Sequence, residues 1–170
     1  LVLGTEEVSP LEMAEAYSVF ANEGSHVEPL VITRVEYPDG RIFVPPQPTE
    51  DVLDPAVTAQ MTYALRGVVD RGTATAARLG VPVAGKTGTT QDNRDAWFVG
   101  FLPNGMTAAV WMGYEPIVNA DGSTEPRFMN DVHGRAVTGG SFPAEMWHDF
   151  MGRWLDSSGA EVGNFPSTNG

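Results

Sequence analysis

The side chains best suited to chemistry lie in one stretch, Lys86 to Thr90, at the edge of a run that has the composition of a buried strand. Lys86 is the only lysine in the chain. Its ammonium can attract a carboxylate, the hydroxyls of Thr87 and Thr89 can donate hydrogen bonds to it, and Gly88 lets a substrate backbone approach closely. The backbone N–H of Thr89 can serve as one donor of an oxyanion hole. The stretch therefore predicts a site that binds a carboxylate and stabilises an oxyanion.

The Lys-Thr-Gly-Thr string also has a simpler interpretation, a structural strand edge without function. Short patterns of glycine and threonine arise by chance, so the string alone leaves this as the default. Only its combination with the surrounding sequence favours a functional site.

The composition argues against several classes of partner and ligand. The chain has 170 residues, 42% of them apolar, which is enough for one domain with a substantial core. A net charge of -12 and a pI of about 4.4 argue against nucleic acid or an anionic membrane as the main partner. Without cysteine there are no disulfides or thiolate ligands, and the three histidines, His26, His133 and His148, show no metal-ligand spacing.

The sequence contains neither a membrane span nor a recognisable start. No apolar run reaches the roughly 20 residues needed to cross a bilayer. The sequence begins at Leu1 with neither an initiator methionine nor a signal peptide. We therefore expect a piece of a longer protein, with any anchor or targeting segment upstream.

Helix signals occur in four places. Ser9, Pro10 and Glu12 predict an N-cap with a capping box, in a helix that ends near Gly24. Asp54-Pro55 predicts a second helix ending near Asp70. Its predicted buried stripe consists of Val57, Met61, Ala64, Leu65 and Val68.

The other two helices are a short one in residues 71–80 and an amphipathic one beginning at Pro143. In the short one, Thr73 and Thr75 are interpreted as caps rather than catalytic residues. The apolar side chains of the last helix are Trp147, Phe150, Met151, Trp154 and Leu155. The composition from Asp156 onward is typical of a frayed tail.

Residues 96–102 and 107–113 are apolar on both faces, and a turn at Pro103-Asn104-Gly105 separates them. With the strand that carries Lys86 they predict three consecutive antiparallel strands between layers of helices. Residues 30–44 predict a small hairpin around Pro38-Asp39-Gly40. Residues 115–137 show no periodicity and predict a long surface loop. The fold class is therefore α/β (α+β), a mainly antiparallel sheet flanked by helices on both faces.

Four sequence blocks in order make a specific family resemblance. The blocks are Leu3-Gly4-Thr5 to Asn22-Glu23-Gly24, Arg71-Gly72-Thr73-Ala74, residues 84–100 with Lys86-Thr87-Gly88-Thr89-Thr90 and Arg94-Asp95-Ala96-Trp97-Phe98, and Thr138-Gly139-Gly140-Ser141-Phe142-Pro143-Ala144 with Trp147. The chain resembles the C-terminal half of the transpeptidase domain of a bifunctional class A penicillin-binding protein, in the serine β-lactamase and transpeptidase superfamily. The resemblance assigns residues 1–155 to this half-domain and leaves 156–170 as a flexible tail.

One part of the family pattern is missing. No Ser-x-x-Lys exists in the chain, because its only lysine follows Val83 by three positions. Ser167-Thr168-Asn169 spells the Ser-x-Asn motif, but it lies after Lys86 and is interpreted as coincidence. The resemblance therefore implies an incomplete sheet and an upstream half that carries the nucleophilic serine, its lysine and the Ser-x-Asn motif.

The resemblance implies a peptidoglycan D,D-transpeptidase that cross-links stem peptides by serine acyl transfer and is acylated by β-lactam antibiotics. Lys86 and Thr89 would be catalytic, and Thr87, Gly88, Thr89 and Thr90 would bind substrate. No metal or organic cofactor is implied. The expected location is the outer face of the bacterial cytoplasmic membrane, held by an upstream anchor, and the lone chain is expected to be inactive.

Two alternatives stay open. One is a hydrolase of the same superfamily, a D,D-carboxypeptidase or β-lactamase, which passes the acyl group to water instead of an amine. The other is a non-catalytic β-lactam sensor, which does not turn over once acylated.

Overall fold

The computed structural model describes residues 6–103 and 105–168. The helices are α1 (Pro10–Ala21), α2 (Pro55–Asp70) and α3 (Phe142–Ser158), with 3₁₀ turns at Thr75–Ala77 and Gln91–Asn93. The strands are β1 (Ser25–Val27), β2 (Val35–Glu36), β3 (Ile42–Phe43), β4 (Thr49–Asp51), β5 (Ala84–Thr89), β6 (Asp95–Phe101), β7 (Thr107–Gly113), β8 (Ile117–Val118) and β9 (Thr124–Glu125). Leu1, Leu3 to Thr5, Asn104 and Asn169, which carry several of the expectations above, lie outside the described residues.

The first helix begins as predicted. The Ser9 hydroxyl accepts the Glu12 N–H at 3.3 Å, and a Glu12 carboxylate oxygen accepts the Ser9 N–H at 2.7 Å. This capping box satisfies two N–H groups that have no partner inside the helix. The chain leaves α1 through Glu23 and Gly24, which have φ of 56° and 107°. The helix therefore ends where the sequence predicts.

The central sheet has three strands in the order β5-β6-β7, all antiparallel. Lys86 lies opposite Val99 and Gly88 lies opposite Trp97. The β6–β7 turn is closed by the Leu102 N–H, which donates to the Met106 carbonyl at 2.9 Å. The three consecutive antiparallel strands predicted from the sequence are confirmed.

One face of the sheet packs against α3. Phe98 and Trp147 are fully buried and meet edge to face, with ring centroids 5.4 Å apart. Space for these rings comes from Gly100, where an added Cβ would lie 2.9 Å from atoms of both. A similar gap exists at Gly85, whose Cβ would lie 2.7 Å from the Phe98 ring. The aromatic pair fixes α3 across the sheet, and Phe98, Trp147, Leu102 and Met151 form the centre of the core.

The opposite face packs against α1 and part of α2. Phe101 is fully buried there, with the Phe20 ring stacked on it at 6.5 Å and Leu65 in the same cluster. The sheet therefore has helices on both faces. This confirms the predicted fold class.

The buried stripe of α2 differs in part from the predicted one, and that of α3 differs at one residue. In α2 the buried residues are Thr58, Thr62, Leu65 and Val69, whereas Val57 and Met61 are exposed. Thr58 can be buried there because its hydroxyl bonds back to the helix, donating to the Asp54 carbonyl at 2.9 Å. In α3, Trp147 and Met151 are buried as predicted and Trp154 and Leu155 pack against the core, whereas Phe150 is exposed.

The predicted small hairpin exists but is short. Strands β2 and β3 pair antiparallel around a turn with Gly40 at φ of 84°. The sequence did not predict the pairing of β1 with β4, which closes this segment at its base.

The prediction of a surface loop at 115–137 is wrong in part. It contains the β8–β9 hairpin, and Met129 and Val137 are buried. The Met129 N–H donates to the Asn93 carbonyl at 3.0 Å, and the Val137 N–H donates to the Met129 carbonyl at 2.9 Å. Two isolated apolar residues anchor the segment. Two are too few to produce a hydrophobic periodicity in the sequence.

The last part of the chain makes contact with the core. Helix α3 continues to Ser158, past the predicted domain boundary at residue 155. The Phe165 ring meets Phe101 edge to face, with centroids 5.5 Å apart. The domain boundary and the flexible tail at 156–170 stay predictions, with Phe165 as one point of attachment. Among residues 6–103 and 105–168, none of the helices has the length and hydropathy of a membrane span.

An ion pair joins the 115–137 segment to α3. The two terminal nitrogens of Arg135 each donate to a different oxygen of Glu145 at 2.8 Å, and the guanidinium lies 4.1 Å from the Phe142 ring centre. Hydrogen bonds from Arg135 hold the pKa of the Glu145 carboxyl below its ordinary value of 4.5. Because Arg135 precedes residues 138–141 and Glu145 follows them, the ion pair holds the two ends of this turn together.

Glu145→Gln tests this ion pair through the pH dependence of stability. A lowered pKa in the folded state stabilises the fold above the unfolded pKa, and the stabilisation is lost as pH falls through the folded value. We expect a lower melting temperature than wild type at about pH 7, with the difference shrinking as pH falls from about 5 to about 3. Glu115→Gln, at an exposed carboxylate, is the control for loss of one charge. A difference that stays constant down to pH 3 would contradict the assignment.

Candidate active site

The proposed site residues lie on β5, which forms one edge of the central sheet. Among the described strands, only β6 pairs with β5. The small residues in Ala84–Thr89 let β5 pack closely against its neighbours, while Lys86 and Thr89 at its exposed end reach solvent. The strand therefore presents polar side chains at an open edge.

Lys86 and the threonines leave β5 on opposite faces. Successive strand residues alternate, so Lys86 and Gly88 face the α1 side, and Thr87 and Thr89 face the α3 side. The Lys86 amine nevertheless reaches the edge, because its Nζ donates to the Thr87 carbonyl oxygen at 2.9 Å. The ammonium and the two hydroxyls thus approach the same edge from different faces.

The backbone of Thr89 also faces the open edge. Hydrogen-bonded pairs alternate along an antiparallel ladder. The Thr90 N–H donates to the Asp95 carbonyl on the β6 side at 3.0 Å, whereas the Thr87 carbonyl accepts from Lys86 instead. The N–H of Thr89 therefore points away from β6, as a donor to an oxyanion at this edge must.

The Thr87 hydroxyl has a partner outside the strand. Its Oγ1 lies 2.7 Å from Oγ1 of Thr73, which is exposed in the turn after α2. The interpretation of Thr73 as a cap is wrong, because the 3₁₀ turn that follows begins at Thr75, has Ala74 at its N-cap position and has no side-chain cap. Thr73 is instead a neighbour of the candidate site.

The Thr89 hydroxyl is held by the turn before α3. Its Oγ1 accepts the Gly139 N–H at 3.0 Å. Gly139 lies directly on the sheet, where an added Cβ would be 2.2 Å from the Trp97 carbonyl oxygen and 2.6 Å from that of Gly88. A Cβ at Gly140 would be 2.0 Å from the Thr73 carbonyl oxygen. Only glycines fit between these backbones.

Thr90 is engaged locally. Its hydroxyl accepts the Asp95 N–H at 2.7 Å, and its own N–H donates to the Asp95 carbonyl. These bonds close the turn between β5 and β6. Thr90 still lines the groove described next.

A groove of about 860 Å³ runs along β5 on the α1 side. Its apolar part includes Trp97 and Trp111, whose ring centroids are 6.3 Å apart. The Trp111 indole N–H donates to an Asp95 carboxylate oxygen at 3.1 Å. The lining residues are Glu6, Glu7, Val8, Pro10, Met13, Tyr17, Lys86, Thr87, Gly88, Thr89, Thr90, Arg94, Asp95, Trp97, Val99 and Trp111. None of these described lining residues is a serine.

Histidines and carboxylates do not form a metal-binding cluster in the described part of the chain. No group of three or more histidines, aspartates or glutamates there is placed to hold a metal ion. His26 Nε2 lies 2.6 Å from a Glu15 oxygen, and His148 Nδ1 lies 2.6 Å from the Arg78 carbonyl. Both rings serve local contacts.

The five predicted site residues, Lys86 to Thr90, all line the groove, and the structure adds three neighbours that the sequence did not assign to the site. These are Thr73, Gly139 and Gly140. Their blocks carried the family resemblance, but nothing in the composition of either block shows that it touches β5. Contacts between residues so far apart in the chain depend on the packing of α2 and α3.

Comparisons with known proteins identify the family of this chain. The penicillin-binding protein transpeptidase domain family matches residues 3–133. Penicillin-binding protein 1A of Neisseria gonorrhoeae is 42% identical over 159 residues, which cover 89% of this chain and 18% of that protein. The same protein from Aquifex aeolicus is 39% identical over 153 residues, which cover 89% of this chain and 19% of that protein.

Solved structures give the same result. The penicillin-binding protein PonA1 of Mycobacterium tuberculosis has a TM-score of 0.76 and 28% identity, covering 97% of this chain and 42% of that chain. The complex of PonA1 with penicillin V has a TM-score of 0.73 at the same identity and coverage. The chain thus spans about a fifth of these curated relatives and less than half of this solved structure.

The family match covers most of the chain and includes the Lys86 to Thr89 strand. The resemblance to class A penicillin-binding proteins, stated from the motifs, is confirmed. The chain belongs to the penicillin-binding protein transpeptidase domain family.

Proposed function

We propose that this chain supplies one wall of the active site of a peptidoglycan D,D-transpeptidase. In this proposal an upstream segment of the same domain supplies the other wall, with the nucleophilic serine. The observation that carries the proposal is the open edge of β5, where the Lys86 amine, two hydroxyls and the outward N–H of Thr89 come together. No serine of the described residues lines the adjoining groove.

The proposed reaction has two acyl transfers. The serine hydroxyl on the upstream segment attacks the carbonyl carbon of a D-Ala-D-Ala bond, and its proton goes to a base on that segment. The tetrahedral intermediate expels terminal D-alanine, whose nitrogen takes a proton, and leaves a serine ester. An amine of a second stem peptide then attacks the ester, which forms the new amide and returns the proton to serine.

The last four residues of β5 each have a role in this scheme. The Thr89 N–H donates to the oxyanion of the tetrahedral intermediate. Lys86 attracts the terminal carboxylate and makes the potential at the edge more positive in a chain of net charge -12. The hydroxyls of Thr87 and Thr89 donate to that carboxylate, and Gly88 leaves room for the peptide backbone.

Thr90 is assigned to the substrate-binding strand as well. Because its hydroxyl is already bonded to Asp95, we propose that it shapes the end of the strand next to the substrate. No residue of this scheme calls for a metal or an organic cofactor.

The partners follow from the same scheme. They are the upstream half of the domain, peptidoglycan stem peptides and, as mimics of D-Ala-D-Ala, β-lactam antibiotics. Peptidoglycan lies outside the bacterial cytoplasmic membrane, so we place the protein on that outer face, held by an upstream anchor.

Labelling with a fluorescent penicillin tests the division of the site between two segments. We expect label on the protein that joins this chain to its upstream segment, and none on the lone chain, because the serine is absent from it. Detection is by fluorescence after denaturing gel electrophoresis. Label on the lone chain would contradict the proposal that the nucleophilic serine lies on the upstream segment. An unlabelled joined protein that is folded would reject the transpeptidase, hydrolase and sensor readings together.

Lys86→Ala in the joined protein tests the role of the amine. We expect acylation by penicillin to slow by ~10²-fold or more, the scale for losing one preorganised electrostatic group. The rate of label formation measures this. Arg34→Ala removes a positive charge at an exposed position before β2 and should leave the rate unchanged. Equal rates for Lys86→Ala and wild type would remove Lys86 from the mechanism.

A further inference from the structure

We propose that Thr73 and Gly139 are positioning residues, which orient the hydroxyls of Thr87 and Thr89 toward the carboxylate of the substrate. The inference rests on the proposed function and adds to it two residues from outside the β5 strand. Neither would touch the reacting atoms. Each acts through the hydroxyl that it holds.

A hydroxyl has a single proton, which it can donate to one partner at a time. A threonine hydroxyl has one donor and two acceptor lone pairs. When it accepts a hydrogen bond from the protein, its rotation is restricted while its own proton stays available. A hydroxyl held in this way can donate to a carboxylate without first giving up a competing bond.

Gly139 holds Thr89 in this manner. Its N–H can only donate, so the 3.0 Å bond fixes Thr89 Oγ1 as the acceptor. The donor is itself rigid, because Gly139 is buried against the backbones of Gly88 and Trp97. The Thr89 proton is left to point elsewhere.

Thr73 holds Thr87 at the other side of the same turn. The two hydroxyl oxygens are 2.7 Å apart, and the proposal assigns the proton between them to Thr73. Gly140 packs between these residues. A Cβ added to it would lie 2.0 Å from the Thr73 carbonyl oxygen and 3.9 Å from the Thr87 methyl group. The glycine pair therefore sets the distance of Thr73 from β5.

The turn that carries the glycines is closed independently of β5. The Ser141 hydroxyl accepts the Thr138 N–H at 2.9 Å and donates to the Thr138 carbonyl at 2.8 Å. The bidentate Arg135–Glu145 pair lies just outside these residues. A turn fixed at both ends can impose the orientation of the two threonines.

The test compares a penicillin with its methyl ester, in the joined protein. If the hydroxyls act on the carboxylate, wild type should be acylated faster by the free acid than by the ester. Thr73→Val removes the hydroxyl with little change of shape, and should lower the ratio of acid to ester rates by about tenfold, as for one hydrogen bond to a charged group. Thr73→Ser keeps the hydroxyl and should restore the ratio. The melting temperature of each variant is measured alongside.

Gly139→Ala tests the second positioning residue. Its Cβ has no room, so the turn must move away from Thr89, and the same ratio should fall. Because both probes are measured on the same preparation, the ratio does not depend on how much of the variant is folded. Gly80→Ala is the matched control, at a glycine with nothing within 4 Å of an added Cβ.

The outcomes separate this inference from the function on which it rests. A folded wild-type protein that no penicillin acylates overturns the function and the inference with it. If Thr73→Val and Gly139→Ala are still acylated, but slow the reactions with the free acid and with the ester equally, the two residues have only a structural role. That result overturns the inference and leaves the proposed function intact. A higher ratio in Thr73→Val also overturns it, because Thr87 would then have been donating to Thr73.

Discussion

Strand β5 pairs on one side only among the described residues, and the arrangement of the site depends on that open edge. Unpaired strand edges present backbone donors and acceptors, and proteins normally cover or block them. Here the edge is bordered by the Lys86 amine, which bonds to the Thr87 carbonyl, and by the turn that contacts Thr89. The edge is left usable for an extended peptide, which can align along a strand with the same hydrogen-bonding groups.

Close backbone approach is the second constraint. The sheet accepts α3 because Gly85 and Gly100 leave space for the Phe98 and Trp147 rings. The turn before α3 accepts β5 because Gly139 and Gly140 have no side chains to hold it away. The core and the site therefore share one helix, and the position of α3 determines how far the turn lies from Thr89.

Much of the fold could be predicted because its signals are local. Ser9 and Glu12 cap α1, the apolar runs around Pro103 and Gly105 give paired strands, and Lys86 with its neighbours marks the site. The buried face of α2 could not be predicted, since two of its residues, Thr58 and Thr62, are polar and interrupt the apolar pattern. The anchors Met129 and Val137 were missed because two separate apolar residues make no pattern. The contacts of Thr73 and Gly139 were out of reach, because they join segments that meet only after α2 and α3 have packed.

The most direct test of the two-wall site is a crystal structure of the joined protein acylated by a penicillin. We expect a serine ester on the upstream segment, with the ester carbonyl oxygen at the Thr89 N–H. We also expect the penicillin carboxylate within hydrogen-bond distance of the Thr87 and Thr89 hydroxyls. A carboxylate directed away from β5, or an ester on a residue of this chain, would contradict the two-wall site.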